Sequence, residues 1–209
     1  MRLSELFRQC CAASYRQVEN GADYALRREG NTLYLFFEPS IGLEDWKNNL
    51  DFPAKPYRRM EETAWYAHRG FLRVWKSVEG YLEPAIAERS VKKILVAGYS
   101  HGAALAVFCH EYIWFHRPDL RPTLQSYGFG CPRVVWGVLP PQVRARWEGF
   151  MVIRNRNDPV THLPPAFWGY RHVGQMLEVG QKGKYKRLEA HKEENILAEL
   201  KIYEERGRR

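Results

Sequence analysis

The residues with the strongest claim to chemistry are Gly98-Tyr99-Ser100-His101-Gly102. A serine with glycine two positions away on each side suits a nucleophile held on a very tight turn, where larger side chains would clash with the flanking elements. The preceding run Ile94-Leu95-Val96-Ala97 reads as a strand buried on both faces. His101 to Phe115 reads as a helix, closed by Pro118. Strand, turn and helix are the context this pattern needs. The turn lifts the hydroxyl above the sheet edge, and the helix N-terminus offers N–H groups and partial positive charge to an oxyanion. The chemistry implied is nucleophilic acyl transfer through a covalent intermediate, which requires no metal or cofactor.

A sheet and helices must position that turn. Residues 2 to 18 carry helical spacing at Leu3, Leu6, Phe7, Cys10, Cys11 and Tyr15, with Asn20-Gly21 as a stop. Tyr24 to Arg28 and Thr32 to Phe37 flank Gly30-Asn31 as a hairpin. Gly70 to Arg89 is helical, with Phe71, Val74, Trp75, Val78 and Leu82 on one face. Val91 to Ala97, Thr123 to Gly128 and Phe150 to Arg154 are core strands, and Val173 to Val179 and Tyr185 to Leu188 are a pair of late strands. Glu193 to Glu205 is a final amphipathic helix. Strands alternating with helices predict an α/β fold with a mostly parallel central sheet and helices on both faces. At 209 residues, without linker or repeat, residues 1–209 are expected to form one domain.

Composition narrows the setting more than the chemistry. The formal charge is +8, much of it in residues 181–187 and 206–209, which read as solvated surface. No interleaving of basic and aromatic residues builds a stacking platform, so a nucleic-acid partner is not expected. Four cysteines, two of them adjacent, read as free thiols. No stretch approaches the ~18 apolar residues of a transmembrane helix. The first ten residues lack the apolar core of a signal peptide, so the expected address is cytoplasmic, with release by lysis or a specialised route left open.

Several blocks, in one order, resemble the fungal-type or class three lipases. Phe37-Glu38-Pro39-Ser40 with Asp45-Trp46 is similar to that family's Phe-Arg-Gly-Thr/Ser block, and His68-Arg69-Gly70-Phe71 to its His-x-Gly-Phe. Gly98 to Ala106 stands where the family has Gly-His-Ser-Leu-Gly-Gly-Ala-Leu-Ala, and Tyr127-Gly128-Phe129-Gly130-Cys131-Pro132-Arg133-Val134 resembles Tyr-Thr-Phe-Gly-x-Pro-Arg-Val. Asn155 to Val160, Leu163-Pro164-Pro165 and Gly169 to His172 resemble the block carrying the family's acid. The chain departs from the pattern at Pro39, Tyr99 and His101. The resemblance implies an α/β-hydrolase fold and a serine carboxylic-ester hydrolase, a lipase acting on acylglycerols or similar lipid esters. Another serine acyl hydrolase, such as a phospholipase A or thioesterase, and a catalytically silent binding protein of the same fold are the alternatives.

In that fold the acid and base follow the serine on loops after later strands. Asp158, after the strand ending at Arg154, fits the acid. Of seven histidines, His68, His101, His110 and His116 precede the acid and His162 lies too close to it, leaving His191 as the base and His172 as the alternative. The oxyanion hole is expected to combine the backbone N–H of His101 with Ser40, which occupies the family's Thr/Ser position. Leu43, Trp46 and Leu50 share a helical face in residues 41–50, a stretch that reads either as a lid making transient contact with a lipid surface or as a helix packed on the core.

Overall fold

The computed structural model describes residues 1–18, 22–38, 51–57 and 64–207. In chain order, α1 (Leu3–Cys11) precedes the hairpin of β1 (Tyr24–Glu29) and β2 (Thr32–Phe37), then β3 (Ala54–Tyr57), β4 (Trp65–His68) and α2 (Arg69–Ala87). β5 (Lys93–Tyr99) leads into α3 (His101–His116), followed by β6 (Gln125–Phe129), β7 (Val135–Trp136) and β8 (Phe150–Asn155). β9 (Tyr170–Arg171), β10 (Gln175–Val179) and α4 (Glu193–Arg206) complete the order.

Among the described residues the main sheet runs β1-β2-β5-β6-β8-β10, antiparallel only between β1 and β2 and parallel thereafter. Strand alternation divides the apolar side chains between its two faces. On one face Leu33, Leu35, Ile94, Val96 and Val152 pack under α2 and α3. On the other, Phe36, Leu95, Ala97, Ile153 and Val179 meet Leu6, Phe7 and Cys10 of α1 and Ile196 and Leu200 of α4. α3 is buried from His101 through Ile113, as expected of a helix apolar on every side and enclosed between the sheet and its neighbours. This layering is the α/β arrangement read from the alternation of strands and helices.

Three elements differ from expectation. The first helix ends at Cys11 and not near residue 18: the Ala12 N–H closes on the Arg8 carbonyl, Tyr15 Oη donates to the Cys10 carbonyl, and Arg16 pairs with Tyr24 in an isolated bridge. The proposed stop at Asn20-Gly21 lies outside the described residues. Residues 185–188 form no strand. Gly183, at φ 82°, turns the chain, and Lys184 and the Tyr185 hydroxyl both bond the Glu199 carboxylate, which is 2% exposed; a 3-10 turn, Arg187–His191, follows. One cation of the basic run is therefore an ion-pair partner, and not merely solvated. β10 instead pairs in parallel with β8.

A second, antiparallel sheet, β3-β4-β7-β9, was not foreseen. Its strands span only two to four residues, too short for a period-2 pattern to declare itself. Its inner side chains, Tyr57 and Trp65, join Phe108 and Trp147 in an edge-to-face and stacked aromatic cluster.

Candidate active site

Ser100 lies between the last residue of β5 and the first of α3 with φ 56° and ψ −118°, the only non-glycine at positive φ among the described residues. Such a conformation persists only where the surroundings over-determine it. They do so here through close backbone packing. A Cβ on Gly98 would lie 2.1 Å from the Gly102 carbonyl oxygen, and one on Gly102 would lie 2.3 Å from that of Phe37. The Ser100 N–H donates to the Phe129 carbonyl at 2.9 Å, tying the turn to β6.

The candidate acid, Asp158, lies in the turn after β8. The Asp158 side chain is fully buried; its Oδ1 accepts the Val160 N–H at 2.9 Å, while its main-chain carbonyl accepts the Thr161 hydroxyl at 2.8 Å. Oδ2 lies 2.7 Å from His191 Nδ1, and His191 Nε2 lies 2.8 Å from Ser100 Oγ. A carboxylate at Nδ1 assigns the proton to that nitrogen and leaves the Nε2 lone pair to accept the serine hydroxyl. The imidazole side chain is 15% exposed, and the aspartate side chain paired with it is 0% exposed. His191 closes the Arg187–His191 turn just ahead of α4.

The structure thus brings together Ser100, His191 and Asp158. It places the alternative base elsewhere: His172 Nε2 donates to the Thr161 carbonyl at 2.9 Å, and burial lowers its pKa to about 4. His101 is the first residue of α3, where helical N–H groups lack intrahelical partners. Its own ring is buried edge-on against Phe71. Ser40, Pro39 and the 41–50 stretch lie outside the described residues. His68 is a helix cap: it is fully buried, stacks on Phe71 and accepts the Phe71 N–H through Nδ1.

Gly130 is a site residue that the motif reading passed over. At φ 57° it turns the chain off β6, and a Cβ there would lie 2.7 Å from His191 Cε1 and 3.1 Å from Asp158 Oδ2. The histidine–aspartate pair occupies the space a side chain would take. The visible signal was a glycine immediately after a core strand, a position that asks for positive φ or a close approach. Among the described residues no group of three or more His, Cys, Asp or Glu side chains is placed to hold a metal ion, and no helix is long and apolar enough to cross a membrane.

The mostly parallel sheet, helices on both faces and a serine at the sharp strand-to-helix turn define an α/β-hydrolase fold. Solved structures share it: a fungal lipase–inhibitor complex superposes with a TM-score of 0.69 at 23% identity, over 80% of this chain and 66% of that one. The triacylglyceride lipase of Rhizomucor miehei gives 0.65 at 22% identity over the same shares. The family model for lipase (class 3) matches residues 34–168, and the chain belongs to that family. Its relatives include a secreted mono- and diacylglycerol lipase of Fusarium solani, 29% identical over 64% of this chain and 40% of the relative. The lipase of Rhizomucor miehei is 28% identical over 69% and 40%. The chain spans about 40% of the length of the curated relatives it matches. The expected cytoplasmic address is overturned here: a relative is named as secreted.

Proposed function

We propose that this chain is a serine carboxylic-ester hydrolase acting on acylglycerols or similar lipid esters. One observation carries the reading: an unbroken hydrogen-bonded line from Ser100 Oγ through His191 to the buried Asp158 carboxylate. Ser100 attacks the ester carbonyl while His191 Nε2 takes its proton, then returns it to the departing alcohol. Water, deprotonated by the same imidazole, cleaves the acyl-enzyme. Asp158 holds the tautomer and stabilises the imidazolium without becoming protonated. The His101 N–H and Ser40 are the proposed oxyanion donors. The lipid character of the substrate is supported by relatives named as lipases.

A transient lipid-surface contact is part of the proposal. Tyr66, Trp136, Phe167 and Trp168 form a connected aromatic surface on the outer side of the small sheet, with Phe167 85% exposed and Trp136 Nε1 donating to the Trp168 carbonyl. Aromatic rings with a polar edge suit the boundary between water and lipid. Ester turnover and labelling by a fluorophosphonate, both abolished in Ser100→Ala, test the chemistry. An acyl-chain-length series with and without a lipid interface tests the substrate, and short-chain preference without interfacial stimulation would retire the surface contact.

A further inference from the structure

Tyr99 ends β5 one residue before Ser100, and strand alternation sends its side chain to the α1/α4 face with Leu95 and Ala97. There its ring meets Phe7 edge-on at 5.3 Å and lies 5.2 Å from the His191 imidazole, while its hydroxyl donates to the main-chain carbonyl of His191. The preceding carbonyl, that of Ala190, accepts from Asn155 Nδ2 at 2.9 Å. Asn155 ends β8, is 1% exposed, and receives the Asp158 N–H on its own carbonyl at 2.8 Å. Gly180 leaves it room: a Cβ there would lie 2.4 Å from Asn155 Oδ1.

The two bonds grip consecutive carbonyls at the end of the Arg187–His191 3-10 turn. One comes from the strand that carries the nucleophile, the other from the strand that carries the acid. A general base has to sit within about 2.6–3.2 Å of its proton donor, and small displacements are costly in rate. We propose that Tyr99 and Asn155 are positioning residues that set where His191 stands, Tyr99 registering it against Ser100 and Asn155 against Asp158. The inference rests on the reading that Ser100 and His191 act together. Burial, with the Asp158 carboxylate next in effect, pushes the Tyr99 phenol above its ordinary pKa, so it remains a donor wherever an imidazole can serve as base.

The test compares the full wild-type chain with Tyr99→Phe, which removes only a hydroxyl, and with Asn155→Ala. Turnover of a soluble ester is normalised to active sites counted by fluorophosphonate titration, and the low-field proton resonance of His191 Nδ1–H, assigned by its loss in His191→Ala, is recorded without substrate. Tyr99→Phe is expected to lower kcat per titrated site about ten-fold with KM within about two-fold, and to shift or broaden the resonance. A purely structural role would reduce the number of titratable sites and leave both readouts unchanged. Unchanged kcat per site together with an unchanged resonance in Tyr99→Phe overturns the proposal, even if Asn155→Ala does not fold. If the wild type shows no Ser100-dependent turnover, the hydrolase reading fails by itself. The resonance then decides the clamp: a shift in Tyr99→Phe upholds it and an unchanged line overturns it.

Discussion

The turn around Ser100 and the segment that carries His191 are held by different physics. Around Ser100 the restraint is backbone against backbone: Gly98 faces the Gly102 carbonyl, and Gly102 faces that of Phe37. Around His191 the restraint is side chain to backbone, through Tyr99, Asn155 and, further upstream, Glu199 gripping Lys184 and Tyr185. Close backbone packing demands particular small residues at fixed spacing, so it leaves a motif. Hydrogen bonds from remote side chains can be supplied from many positions. The same catalytic precision can therefore be written plainly in one stretch of chain and invisibly in another.

The largest effect expected would break the comparison at its centre. Ser100→Ala, and to a similar extent His191→Ala, should lower ester turnover by about 10⁴- to 10⁶-fold, because residues that act as a unit lose nearly everything when one is removed. Full activity in His191→Ala with loss in His172→Ala would transfer the base to the other histidine. Gly130→Ala sharpens the comparison, because its added methyl pushes directly on His191. With Gly183→Ala as control, equally at positive φ but with nothing within 4 Å, turnover should fall by about 10²-fold in the first and stay near wild type in the second.

Acid should weaken the nucleophile side through its anchor. Burial lowers the pKa of His110, on α3, from 6.5 to about 3, and its ring nitrogens contact Ser126 Oγ at 2.7 Å and the Arg146 carbonyl at 3.0 Å. Between those pH values the unfolded chain binds a proton that the folded chain refuses, so stability falls as pH drops below 6.5. At pH 5 the loss from this group is about 2 kcal/mol. Denaturant midpoints at pH 7.5 and 5 should differ less in His110→Gln than in the wild type, and an equal difference would refute the assignment. The smallest effect is expected from His172→Ala, whose ring bonds the Thr161 carbonyl away from Ser100: turnover per titrated site should remain within about three-fold of wild type.

Much of the main sheet was legible because its strands are long enough to alternate or to run continuously apolar, as Ile94 to Ala97 does. The order of Ser100, Asp158 and His191 was legible from the family blocks, but the contest between His191 and His172 was not decided by chain order. It took the fold of residues 173–191, where an expected strand gives way to a bend held to Glu199 through Lys184 and Tyr185 and then to a 3-10 turn, to bring one imidazole to Ser100. The small sheet escaped notice because strands of two to four residues are too short to show a period. Gly130 escaped because its importance lies in what approaches it through space, and Asn155 because an amide at a strand end has many uses.

The cysteines offer a way to watch the two faces of the sheet separately. Cys10 lies within α1 and Cys109 within α3, both fully buried and neither in a disulfide, with burial pushing the Cys10 thiol up to about 12. A thiol so placed can be alkylated only when its helix lifts, which makes each a clock for local opening. Single-cysteine versions of the chain would time the departure of α1 and of α3 independently. Because α1 shelters the ring of Tyr99 and α3 begins immediately after Ser100, those two rates would rank how often each half of the candidate site comes apart while the rest of the molecule stays folded.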